Sequence, residues 1–354
     1  MKTEVLKIQP ENVDFEKIKY AADVLKQGGL VVFPTETVYG LGANGLDKKA
    51  VEKIFLAKGR PQDNPLILHV AQKEQMDNLV QDANVAVKLI EQFWPGPLTI
   101  VMEKTKVVPN EVSGNLDTVA IRMPFHPVAL SLIYEAGVPL AAPSANKSGR
   151  PSPTRAEHCL KDLNGLVDVI IDSGNCKVGL ESTVLDISTM PPVVFRPGGV
   201  SVEQLKDVLG NVLVHEGSYK AGDAIAPKSP GMKYTHYSPK AQLIVVCGSL
   251  ECVVSKIKQL RLSEEGKKVG ILATDETIKL YEDVKKDNLN PAIVISAGSR
   301  DDKATIASRF FHTLRKFDEK NVDIVFSEAV DEDGVGLAIM NRMNKASGYN
   351  IVNV

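Results

Sequence analysis

From about Gly29 to Gly198, apolar runs of strand length alternate with longer stretches whose apolar residues recur at helical spacing. That alternation predicts a sheet with helical cover. The predicted strands are Leu30–Thr35, Leu66–Val70, Leu98–Glu103, Val119–Met123, Leu140–Pro143, Val167–Asp172, Thr183–Ile187 and Val193–Arg196. Several follow one another with no helix between, so parallel and antiparallel pairings must mix. Helices are predicted over Phe15–Lys26, Lys48–Lys58 behind an Asp47 cap, Asn84–Phe93 and His126–Glu135.

Between Asn211 and Pro239 the periodicity dissolves into Gly, Pro and polar residues. A connector this long exceeds the usual handful of residues and predicts a linker or lid. From Ala241 the rhythm becomes βαβ: strands Leu243–Cys247, Val269–Ala273, Ile293–Ala297 and Ile324–Ser327, with helices near Leu250–Leu262 and Lys303–Lys316. The expected plan is α/β throughout. Residues 1–210 form a twisted mixed sheet with helices, 211–240 a linker or lid, and 241–354 a smaller Rossmann-like parallel domain.

Composition narrows the function classes. The 354 residues carry 42 basic against 44 acidic side chains, a net charge of −2, so no global field would hold a polyanion non-specifically. Cys159, Cys176, Cys247 and Cys252 make no C-x-x-C pair and are expected to be reduced core thiols. No secretory pattern opens the chain and no apolar run is long enough for a spanning helix, which makes the cytoplasm the expected location.

Gly40, Gly42 and Gly45 spell G-x-G-x-x-G after a strand and before a helix. A dinucleotide site would need an acid closing the second strand, yet Asp63 precedes the run Leu66–Val70, so the glycines are read as a tight turn where two backbones approach. No Walker A loop occurs, so a nucleotide site must be built otherwise. Lys58 and Arg60 sit in a rigid Lys58-Gly59-Arg60-Pro61 stretch, and Arg122 and Arg196 close strands, where α/β sheets place ligands. Such a set suits carboxylate and phosphate together. Hydroxyl and amide groups at Thr35, Thr37, Ser144, Asn146, Ser182 and Thr183 could fix a small polar substrate.

Four strings, Phe33-Pro34-Thr35-Glu36-Thr37-Val38-Tyr39-Gly40-Leu41-Gly42, Lys58-Gly59-Arg60-Pro61 with Asn64-Pro65-Leu66, Trp94-Pro95-Gly96-Pro97-Leu98-Thr99, and Pro143-Ser144-Ala145-Asn146, closely resemble the threonylcarbamoyl-AMP synthase family with its YrdC-type domain. The connector Ser229-Pro230-Gly231-Met232-Lys233-Tyr234-Thr235-His236-Tyr237-Ser238-Pro239 resembles the two-domain branch. The resemblance implies joining of L-threonine, bicarbonate and ATP, with Mg2+ accompanying the ATP, to give threonylcarbamoyl-adenylate and pyrophosphate for tRNA modification. It implies threonine contacts at Thr35, His69, Arg122, Ala142 (through its backbone) and Ser182. Nucleotide contacts fall at Lys58, Arg60, Thr118, Ser144, Asn146, Ser152, Arg196 and Tyr237, with Lys58 and Arg60 bearing on catalysis. The connector would fold over the cleft and present Tyr237. Partners would be downstream threonylcarbamoyl-transfer proteins and a weakly held tRNA, with no membrane. One alternative is a non-catalytic module for tRNA or double-stranded RNA, which the net acidity disfavours. The other is a hydrogenase-maturation carbamoyltransferase, which would need the zinc-finger cysteine pairs this chain lacks.

Overall fold

A computed structural model describes residues 2–215, 237–285, 287 and 291–354. They fall into two compact units, one holding residues up to 148 and from 152, the other holding Gly149–Pro151 and the chain from 237.

The first unit is built on strands β1 (Glu4–Lys7), β2 (Val31–Phe33), β3 (Gly40–Asn44), β4 (Ile67–His69), β5 (Leu98–Glu103), β6 (Thr118–Arg122), β7 (Leu140–Ala141), β8 (Val169–Asp172), β9 (Thr183–Asp186), β10 (Val193–Arg196) and β11 (Leu213–Val214). They join in one sheet of order β1-β8-β2-β3-β7-β4-β6-β5-β9-β10-β11. The pairing is mixed as expected: β4 runs parallel to β6 and β5 to β9, while β5 opposes β6 and β9 opposes β10. Leu6, Ile18, Leu25, Val31, Leu132, Ile133 and Ile171 pack in one apolar layer between sheet and helices. This follows from the helical spacing of Ile18, Ala21, Ala22 and Leu25 on Phe15–Lys26.

Lys48–Lys58 starts where expected, with the Asp47 carboxylate accepting from the Lys49 amide at 2.9 Å. It stops at Gly59, whose left-handed φ of 61° suits glycine. Other expectations needed correction. Gly40 and Gly42 lie within a strand instead of a turn, because the Phe33 ring occupies the space beside them; a Cβ on Gly42 would stand 2.9 Å from that ring. Thr35 lies in the turn after β2. Leu213–Val214, expected at the start of the connector, pairs with β10 and belongs to the sheet. Connector residues 216–236 lie outside the described residues. Cys159 and Cys176 are buried, but Cys252 is exposed on the helix Leu250–Leu262 and is no core thiol.

The second unit holds β12 (Gln242–Cys247), β13 (Val269–Ala273), β14 (Ala292–Ser296), β15 (Ile324–Glu328) and β16 (Ile351–Asn353), all parallel, in the order β14-β13-β15-β12-β16. Strand β16 and the helix Gly336–Ala346 were not anticipated. Among the described residues no helix is long and apolar enough to cross a membrane.

Candidate active site

The site grows from strand ends. Register pairs His69, the last residue of β4, with Arg122, the last of β6. Next comes β5, which opposes β6, so its opening residues lie at the same end. Leu98 at that opening pairs with Thr183, placing Ser182 just outside β9. Arg196 closes β10 on the other side of β9. Sheet order alone thus aligns His69, Arg122, Thr99, Ser182 and Arg196 along one edge.

Hydrogen bonds lock this edge. Ser182 Oγ lies 2.7 Å from Thr99 Oγ1, and Arg196 donates through Nη2 to the same hydroxyl and through Nε to the Ser182 carbonyl, each at 3.1 Å. The backbone of Gly198 packs so tightly on Ser182 and Thr183 that a Cβ there would stand 2.3 Å away. Ser152 donates to the buried carboxylate of Glu181.

The Pro34–Tyr39 turn supplies the opposite wall. Thr35 Oγ1 donates to the Val38 carbonyl at 2.6 Å and lies 2.8 Å from Thr37 Oγ1, which draws the turn tight. From β3 to β6 is three strand spacings, about 14 Å, yet Glu36 reaches Arg122. Its Oε2 stands 2.7 Å from Arg122 Nη2, with the two side chains 6% and 4% exposed. The approach is an ionic contact out of hydrogen-bonding alignment: neither Glu36 oxygen nor Nη2 has a hydrogen bond. Arg122 Nε is held by the Gly96 carbonyl at 3.2 Å.

Around this pair His69 and Cys176 are buried and His126 half-buried. Burial first, then the Arg122 charge, pushes the His69 imidazole down to about 3, so it is neutral at physiological pH. Its Nδ1 lies 3.3 Å from the Ile67 carbonyl and its ring meets Phe33 edge-on. Burial likewise pushes His126 down to about 4, with the Glu36 charge pulling the other way, and its Nδ1 has no hydrogen bond. Burial pushes the Cys176 thiol up, and the Glu36 charge adds to it.

A third set gathers where the helix Lys48–Lys58 ends. The Lys58 ammonium donates to the Ser144 and Asn146 carbonyls, tying the helix end to the turn after β7. Ser144 donates to Asn146 Oδ1 at 2.6 Å. Ala142 is fixed by its amide on the Ile67 carbonyl at 2.9 Å, beside β4. Arg60 reaches the Pro65 carbonyl at 3.1 Å.

Two further predicted contacts are Thr118 and Tyr237. Thr118 opens β6, four residues and about 13 Å from Arg122. Tyr237 is described within the second unit, buried, with φ of 69°, its ring 5.2 Å from Phe311 and 5.6 Å below the Arg342 guanidinium. Glu36, Thr99, Glu181 and His126 were not singled out from the sequence. Glu36 and Thr99 had a local cue, their places inside the Phe33–Gly42 and Trp94–Thr99 strings.

Comparison with known proteins identifies the family. The family described as "Telomere recombination" matches residues 23–198, and "Threonylcarbamoyl-AMP synthase, C-terminal domain" matches residues 200–348. The threonylcarbamoyl-AMP synthase of Pyrococcus abyssi is 46% identical over 97% of this chain and 98% of its own. This chain belongs to the threonylcarbamoyl-AMP synthase family. The Bacillus subtilis member is 45% identical over 95% of this chain and 94% of its own. The crystal structure of P. abyssi Sua5 complexed with L-threonine superposes with a TM-score of 0.91 at 46% identity, covering 99% of this chain and 100% of that one.

Proposed function

We propose that this family member performs the synthase reaction itself: L-threonine and bicarbonate yield a carbamate, whose oxygen attacks the α-phosphorus of ATP and expels pyrophosphate. One observation carries the assignment of roles. Arg122 and Arg196 are buried along a single sheet edge, with the Ser182 hydroxyl held between Arg196 and Thr99. Buried guanidinium groups beside oriented hydroxyls suit a carboxylate and a phosphate held side by side, Arg122 facing the first and Arg196 the second.

In this reading Thr35, His69, Arg122, Ser182 and the Ala142 backbone receive threonine. Neutral His69 serves as a hydrogen-bonding contact and not as an acid. Lys58, Arg60, Ser144, Asn146, Ser152 and Arg196 receive ATP. Thr118 and Tyr237 remain assigned to the nucleotide by their motif positions alone. No protein nucleophile is required: the work is to align anions and to stabilise charge on the transferring phosphorus. The turn 143–146, held on Lys58, presents the Ser144 and Asn146 side chains at a fixed distance from the helix end.

Among the described residues, the buried carboxylates of this site do not form a protein cage for Mg2+. Hard six-coordinate ions want open carboxylates, whereas Glu36 is taken by Arg122 and Glu181 by Ser152. Magnesium therefore enters as part of the MgATP substrate. The product adenylate would pass to tRNA-modifying transfer proteins, with at most weak direct contact to tRNA at a net charge of −2.

Incubation with labelled bicarbonate, threonine and MgATP tests the reading. A labelled adenylate that requires threonine is expected. Absence of label, with tight and salt-dependent tRNA binding instead, would favour the RNA-binding alternative.

A further inference from the structure

Glu36 poses a problem that the assigned roles leave unsolved. Its carboxylate is sealed, the residue being 5% exposed, and neither oxygen accepts a hydrogen bond. Burying a carboxylate this way is costly. The flanking hydroxyls could have relieved it, but Thr35 Oγ1 and Thr37 Oγ1 engage each other, and Thr35 donates to the Val38 carbonyl. The charge faces Arg122 instead.

Arg122 is correspondingly constrained. Nε donates to the Gly96 carbonyl and Nη2 contacts Glu36, so two of the three nitrogens of a rigid plane are fixed from two separate loops. Nη1 is what remains for a ligand. Gly96 is itself pinned, its amide donating to the Met123 carbonyl at 2.8 Å, which prevents the anchor from following the arginine.

We propose that Glu36 is a positioning residue: its buried charge holds the Arg122 guanidinium so that Nη1 meets the carboxylate of the amino-acid substrate. This rests on the reading of threonine as substrate. Glu36 does not touch the ligand. It sets the direction from which Arg122 does, and so determines how strongly the site prefers a free carboxylate over a neutral ester or amide.

The test compares L-threonine with L-threonine methyl ester, which keeps the amine and hydroxyl but lacks the carboxylate charge. In Glu36→Gln the KM for threonine should rise about 10- to 100-fold, the worth of a well-aimed charged hydrogen bond, while kcat and the KM for ATP stay close to wild type. By calorimetry, the wild-type preference for threonine over the ester should shrink by a similar factor, because only threonine loses a contact. Equal losses for threonine and ester, or a parallel rise in the KM for ATP, would overturn the proposal in favour of a general structural role. If Glu36→Gln does not fold, Glu36→Asp retracts the same charge by one methylene; a raised threonine KM alone is then expected, and an unchanged one contradicts the proposal. Failure of the wild type to bind threonine would instead refute the functional reading beneath it.

Discussion

Each unit of this molecule sets a buried glutamate against an arginine near the ends of its strands, and the two pairs are built on different principles. In the second unit Glu328 closes β15, its side chain fully buried, and it accepts from Thr277 Oγ1 and Tyr281 Oη at 2.9 Å and from Arg300 Nη2 at 3.1 Å, with Thr274 Oγ1 at 3.3 Å. Arg300 also donates to the Ala329 carbonyl at 2.8 Å. Every charge there is answered within the protein. Glu36 and Arg122 have ionic contact but no hydrogen bond between them, and three of their polar atoms are left without one. Folded proteins satisfy buried polar groups almost everywhere, so each unsatisfied one calls for an explanation, and beside the strand ends of the candidate site a bound substrate supplies it. The satisfied pair reads as a structural latch, and the unsatisfied pair as part of a receptor.

The largest expected effect separates the two directly. Arg122→Gln leaves Glu36 buried with no cation, and should cost about 3–5 kcal/mol in the urea unfolding of the first unit. Arg300→Gln leaves Glu328 with three hydroxyl donors and should cost only about 1–3 kcal/mol in the second. Equal losses would erase the distinction. Next, Lys58→Met removes the ammonium that ties the helix end to the 143–146 turn; turnover should fall about 10²- to 10³-fold, with threonine affinity kept. A matching loss of threonine affinity would place Lys58 on the amino-acid side instead.

A pH measurement sharpens the picture of a deeply buried His69 beside Arg122. With the folded His69 pKa at about 3, below its ordinary value near 6.5, the unfolded chain takes up the proton first as pH falls. The associated stability is present above about pH 6.5 and is lost toward pH 3. His69→Gln should therefore lower the slope of stability against pH in this window by about one proton, and an unaltered slope would contradict the buried setting. Smallest is Tyr281→Phe, which removes one donor from Glu328 and should cost about 1 kcal/mol without changing any KM; a changed threonine KM would deny the latch its purely structural role.

How much of this was legible in the sequence depended on the range of the contact. Lys58–Arg60 was readable because a helix, its Gly59 cap and the following Pro61 are local features. Arg122, Ser182 and Arg196 were readable because each lies at or beside a strand end. The Glu36–Arg122 contact was not, since it joins residues 86 positions apart across three strand spacings, and no periodicity encodes that. For the same reason Gly40 and Gly42 resembled a turn: what demands glycine is a Phe33 ring on the neighbouring strand. Residues 149–151 were expected to stay with the first unit, but the Pro151 carbonyl accepts from Arg315 of the second at 2.6 Å, a distant partner that local texture does not show.

Calorimetric titration of L-threonine into wild type, Arg122→Gln and Arg300→Gln tests the contrast most directly. The account predicts a weakening of about 30-fold or more in Arg122→Gln, the loss of a charged hydrogen-bonding partner, and wild-type affinity in Arg300→Gln. Equal weakening in both, or undiminished binding in Arg122→Gln, would contradict it.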